Sequence, residues 1–296
     1  MRPGTKRLRK KLRRKTKRAL KGGNQKYVIC MPIGGMMDIL CKITTFSEYC
    51  KKHNRILVID TRHHKSIAKD SIFNYIIFND PVIYTGNIDE LYASLKGRSF
   101  YPAECGINLG SEPTPPCSKD AIHLDRVYDE DVILGNPSGG CAQPTFELLS
   151  KCKLTPLVKD VYFKRRAQLP ESYISVHIRN TDYKSNVNGF IAQHSKLLED
   201  NPVFLASNNK DTINSMKSKF GKIQSFSNIK NTSTAGSQHE IARTVEESRE
   251  MTIDLLVDLL LLASGKEIYI GTSNSNYSQV AQKLQQAPHV LHSLLN

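Results

Sequence analysis

The chain has no tryptophan, no C-x-x-C pair, no G-x-G-x-x-G or Walker fingerprint and no apolar run near the roughly 20 residues that span a bilayer. Seven cysteines, all at or before Cys152, are odd in number and carry no metal-ligand spacing. That pattern excludes a zinc knuckle and argues against a disulfide framework, so reduced thiols are expected. Nothing resembles a secretory signal, and a cytoplasmic location is expected. Acids are absent from residues 1–23, which hold twelve lysines and arginines. The net charge is +14, so the remaining chain carries only about +2. The basicity is a property of an arm, residues 1–25, expected to be solvated and unfolded. It allows peripheral, salt-sensitive contact with an anionic membrane or polyanion, and gives no reason to expect specific nucleic-acid recognition.

Beyond the arm, the strongest chemistry lies at Ile174-Ser175-Val176-His177-Ile178-Arg179-Asn180-Thr181-Asp182. The β-branched start reads as a strand and the polar end as a loop. Alternation places His177 and Arg179 on one side and Ile178 on the other. Open α/β sheets bind ligands at the carboxyl ends of strands. An arginine there offers a planar fork of donors suited to a pyrophosphate. Asp182 is placed to steady that fork or to accept from a ribose hydroxyl. The same residues also fit a strand-end ion pair beside a satisfied histidine.

Downstream, residues 253–263 form an apolar helical run in which the acid Asp258 lies deep among leucines. A short strand follows, then the polar turn Thr272-Ser273-Asn274-Ser275-Asn276 and a helix. Ser275 and Asn276 therefore stand at a helix N-terminus, where free amides and the dipole favour an anion. An ordinary N-cap has the same appearance.

Together, His177-Ile178-Arg179-Asn180-Thr181-Asp182, the helix with Asp258, and Ser275-Asn276-Tyr277 resemble the fucosyltransferases of the α-1,6 and Nod-factor type, with protein O-fucosyltransferases as more distant relatives. Pro202-Val203-Phe204-Leu205-Ala206-Ser207-Asn208 fits the strand and polar turn of the same pattern. The resemblance covers residues 173–287. It implies an α/β, GT-B-like fold of two Rossmann-like domains facing a cleft. It also implies an inverting, metal-independent glycosyltransferase that takes a sugar from a nucleotide donor, with no cofactor, to a glycan acceptor. Arg179 would hold the donor phosphate, with His177 and Asp182 beside it. Asp258 would read the base, and Ser273, Ser275, Asn276 and Tyr277 would close on the phosphates. Guanine presents a ring N–H and an amino group side by side, so the acid favours a GDP-sugar, best GDP-fucose, over a UDP-sugar such as UDP-xylose. One departure stands out: residues 183–198 contain no acid, whereas the α-1,6 enzymes carry a glutamate shortly after the motif.

The first half opens with a strand at 26–31, the turn Pro32-Ile33-Gly34-Gly35, an amphipathic helix from about Met36, and a second strand at 55–60. The same resemblance implies that Gly34 and Gly35 face the cleft and makes Asp38, which follows them, the candidate base, although an acid also simply favours a helix start. The expected domains are 26–165 for the acceptor and 166–296 for the nucleotide sugar. The proline- and glycine-rich stretch 101–155 is read as acceptor loops, 161–169 as the approach to the linker, and 228–239 as a lid. The rival from another class is a non-catalytic glycan- or polyanion-binding protein on the same scaffold.

Overall fold

The computed structural model describes residues 25–103, 122–135, 139–182, 184–229, 241–272 and 275–296. Nearly all of the basic arm, most of the expected lid and Ser273 lie outside these.

The first half runs β1 (Lys26–Cys30), α1 (Met36–Lys52), β2 (Arg55–Ile59), β3 (Ile76–Phe78), α2 (Ile88–Ser94), β4 (Phe100–Tyr101), β5 (Val132–Gly135), α3 (Ala142–Leu149) and β6 (Cys152–Leu154). Helix α4 (Pro156–Arg166) leads to the second half: β7 (Ile174–Ile178), α5 (Val187–Asp200), β8 (Val203–Ser207), α6 (Lys210–Lys219), β9 (Ile223–Gln224), α7 (Val245–Ser264), β10 (Ile268–Ile270), α8 (Asn276–Gln286) and α9 (Pro288–Leu295). Two four-stranded parallel sheets result, ordered β2-β1-β5-β4 and β10-β7-β8-β9, with β3 and β6 as a separate antiparallel pair. Strands β1, β5, β7 and β8 are apolar and covered by helices on both faces, as parallel sheets require. Each order reverses beside its first strand, between β1 and β5 and between β7 and β10. A crevice opens at such a reversal, because successive helices there leave the sheet on opposite faces. The glycine turn after β1 and Arg179 after β7 occupy these two places.

The halves are strapped together. Helices α8 and α9 pack on α3 and β6, and α4 packs on α7. On the opposite side, the loop after β2 leans on the start of α7. The Ala68 amide donates to Thr252 Oγ1 (2.8 Å) and the Lys69 amide to Ser248 Oγ (3.1 Å). Asp70 pairs with Arg249 (3.2 Å).

Two expectations differ from what is found. Stretch 101–155 is not only loop, for it holds β5, α3 and β6. Strand β5 is four residues between acids and a Pro-Gly segment, too short to show a period. Pro144 lies in the first turn of α3, where a missing N–H costs nothing. Residues 161–169 belong largely to α4, which starts earlier because Pro156 stands at its first position after Thr155. Among the described residues, no helix is long and apolar enough to cross a membrane.

Candidate functional site

The two crevices face each other across a cavity of about 510 Å³. Its walls include Gly35 and Asp38 from the first half and His177, Arg179, Asp182, Asp258, Ser275, Asn276 and Tyr277 from the second. These candidates are distant in sequence and are brought together by the fold. Gly34 lies one residue behind the wall.

Arg179 is held from two sides. Its amide donates to Thr272 Oγ1 (2.9 Å), while the Thr272 and Ser185 hydroxyls donate to its carbonyl (2.8 and 2.5 Å). Its guanidinium forms a fork on Asp182, through Nε to Oδ1 (3.0 Å) and through Nη2 to Oδ2. Burial works against the Asp182 carboxylate, but hydrogen bonds from Arg179 and Thr181 hold it below the usual carboxylate range. Asn208, at the carboxyl end of β8, accepts from the Asn180 amide (2.8 Å) and donates to Thr181 Oγ1 (2.7 Å). The loop is thus tied to the ends of three strands, which places the guanidinium at the cavity at little further entropic cost.

His177 is a buried, satisfied histidine that still borders the cavity. Its Nδ1 lies 2.6 Å from Ser278 Oγ, and its ring meets that of Tyr277 at 5.2 Å. Burial, then the Arg179 charge, pushes it down to about 4, so it is neutral at working pH and contributes no positive charge.

The turn residues divide by role. Ser275 caps α8 by position, yet its side chain makes no cap bond, and its buried hydroxyl has no partner. An ordinary cap spends that hydroxyl on the helix amides. Asn276 donates through Nδ2 to the Gly140 carbonyl (2.8 Å), a bridge between the halves. The Tyr277 hydroxyl is committed to the Leu255 carbonyl (2.6 Å), leaving its ring at the cavity wall.

Asp258 is 7 % exposed in a helix whose other buried residues here are mainly aliphatic. Its Oδ2 accepts from Ser227 Oγ (2.6 Å), and its Oδ1 has no hydrogen-bond partner. Burial first, opposed by Ser227 and reinforced by Asp254, raises it to about 7. A carboxylate so placed costs several kcal/mol unless its charge is met. Folding does not account for it, and a titratable group shifted by burial inside a cavity is a functional candidate.

On the opposite wall, Gly34 adopts φ +102°, and the Gly35 amide donates to Asp38 Oδ2 (2.8 Å). His64 Nδ1 accepts from the amides of Ser66 and Ile67 (3.1 and 2.9 Å), so its Nε2–H donates to the Gly34 carbonyl (2.8 Å). A Cβ at Gly34 would lie 2.7 Å from Asp38 Oδ2. Gly34→Ala is therefore expected to lower stability by about 1–3 kcal/mol and to turn the Asp38 side chain away. Urea denaturation checks the first effect, and loss of turnover beyond that of equally destabilised variants checks the second.

Reading along the chain misses Arg165, Asp254, Ser227 and His64. Asp254 carries a signal, since it lies one helical turn before Asp258 and shares its face. Arg165, within the run Lys164-Arg165-Arg166, carries none.

No protein-family profile and no curated protein match the sequence. Solved structures do. NodZ α-1,6-fucosyltransferase soaked with GDP-fucose is 13% identical with a TM-score of 0.57, and the likeness covers 87% of this chain and 92% of that one. NodZ from Bradyrhizobium, at 14% identity and TM-score 0.57, covers 87% and 93%. A variant of Arabidopsis thaliana FUT1 in complex with GDP, at 12% identity and TM-score 0.51, covers 94% and 75%. The chain shares the fold of these proteins, the GT-B arrangement of two Rossmann-like halves.

Proposed function

We propose that this chain is an inverting glycosyltransferase that needs no metal and moves fucose from GDP-fucose to a glycan hydroxyl. Residues 166–296 would hold the donor and 26–165 the acceptor. The observation that carries the reading is the cavity in which a tethered arginine, a helix N-terminus with an uncommitted serine hydroxyl, and a buried acid surround one ligand-sized space. Arg179 and the α8 amides meet the diphosphate, which is why no divalent cation is required. Asp258 accepts from the ring N–H and amino group of guanine. Asp38 is the one cavity-lining acid that the first half contributes among the described residues, and it takes the acceptor proton from the face opposite the leaving nucleotide. The GDP and GDP-fucose complexes of the structural neighbours support the donor assignment.

Thermal melting with added nucleotide tests this. At one hundred times its dissociation constant, GDP adds about 2.7 kcal/mol of stability, and the gain persists in EDTA. Affinity rises as pH passes through about 7, because guanine needs the ionised form of Asp258. The apo protein shows the opposite sign. A folded-state acid raised above its unfolded value contributes stability that is lost between about pH 4 and 7. Stabilisation by UDP-xylose and not by GDP would transfer the reading to that donor. A response to neither, with tight binding of a glycan or polyanion, would leave a binding protein.

A further inference from the structure

The base subsite contains a second, unexpected charge. Arg165 lies in the last turn of α4, the helix between the halves, and inserts its guanidinium among acids of α7. Its Nη2 lies 2.5 Å from Asp254 Oδ1, and its Nη1 lies 3.8 Å from Asp258 Oδ1. Neither Nη1 nor that Oδ1 has a hydrogen-bond partner. Asp254 also accepts from the Asn228 amide (3.2 Å), and the guanidinium lies 6.0 Å from the centre of the Phe226 ring. Its neighbours in the basic run go elsewhere: Arg166 donates to the carbonyls of 169–171 and stacks on Tyr173, while Lys164 is exposed. One cation thus serves two carboxylates a helical turn apart.

Resting on the guanine reading of Asp258, we propose that Arg165 is a positioning residue for nucleotide recognition, favouring the ionised form of Asp258 and aiming the Asp254–Asp258 pair so that Asp258 accepts from the base. The chemistry requires such a group. Two carboxylates on one helix face, both bordering a cavity, repel each other, and without a counter-charge one takes up a proton. A protonated acid loses an acceptor edge and cannot receive both guanine donors. Among the described residues, Arg165 from α4 is the cation in contact with the pair, Tyr277 from α8 and Glu250 one turn earlier on α7 lie beside it, and Arg179, Asp182, Arg243 and Glu247 line the same cavity. Ser227, from the loop after β9, is neutral. Tyr277 is pushed well above its ordinary value by burial and then by the two acids, so it stays neutral, and Glu250 adds only negative charge. Arg165 is therefore the counter-charge in contact with the pair.

Calorimetric titration of GDP into the full chain between pH 6 and 8.5 tests the idea. In Arg165→Gln, the pH at which affinity is half-developed should move up by about one unit or more, the usual effect of losing an adjacent opposite charge. Arg165→Lys should restore most of the shift. The titration of the GDP phosphate is common to all three proteins and drops out of their differences. A Gln variant with the unsubstituted midpoint, or a Lys variant shifted as far as Gln, would overturn the proposal. If Arg165→Gln unfolds at pH 8 but folds at pH 5.5, the pair has protonated as proposed. Unfolding at both values would make Arg165 a purely structural residue. Failure of the unsubstituted protein to bind GDP at any pH sinks the guanine reading itself, whereas normal GDP binding with unaltered variants sinks only the role of Arg165.

Discussion

Arg179→Ala is expected to lower kcat/KM for transfer from GDP-fucose by about 10³-fold or more, the scale seen when a preorganised donor or arginine is removed from a developing phosphate charge. That corresponds to about 4 kcal/mol of transition-state stabilisation. In the proposed reaction the leaving group is a nucleoside diphosphate, whose negative charge grows as the glycosidic bond breaks. In the structure the guanidinium is fixed through its backbone to Thr272 and Ser185 and through its side chain to Asp182. Arg179→Lys should recover little, because one ammonium cannot supply two parallel N–H donors or keep the Asp182 fork. Steady-state kinetics with GDP-fucose, accompanied by a melting curve to show an intact fold, decides the matter. A lysine variant with near-normal turnover removes the clamp role.

Asp38→Asn should slow the chemical step by about 10²- to 10⁴-fold, the range of general-base catalysis, with GDP affinity nearly unchanged. The amide preserves size and can still accept from the Gly35 amide, so the glycine turn should stay in place. What is lost is the basic oxygen. Single-turnover measurements separate this from a binding defect, and calorimetry with GDP gives the affinity. If the variant keeps most of its rate, the base lies elsewhere, and Glu247 and Glu250 on the cavity wall become the next acids to replace. Chemical rescue is a further check, since a small exogenous base should restore part of the rate to Asp38→Asn but none to Arg179→Ala.

Much of this site is legible in one dimension because its parts sit where local rules are strict. A β-branched run ending in His177-Ile178-Arg179 must stop where the polar loop begins, and the strand emerges as Ile174–Ile178. The glycine turn after β1 is legible for a similar reason, since only glycine takes φ +102° without strain at Gly34. The small polar turn before α8 marks a helix start by composition alone, and the helix begins at Asn276. Asp258 stands out because an acid among leucines contradicts the periodicity around it.

Other features depend on distances that sequence does not contain. Strand β5 lies between β1 and β4 although it follows them, and nothing in four apolar residues states their partner. Asn276 is spent on Gly140 and the Tyr277 hydroxyl on Leu255, so residues read together at the turn carry different tasks. Arg165 looks like one cation of a solvated run until α4 is laid along α7. Periodicity and turn chemistry determine which residues lie at strand ends and helix starts, because those preferences act over one to four residues. Which of them face one another was decided by packing between the halves, where pairs such as Arg165 and Asp254, 89 residues apart, meet only after both sheets and their covering helices have formed.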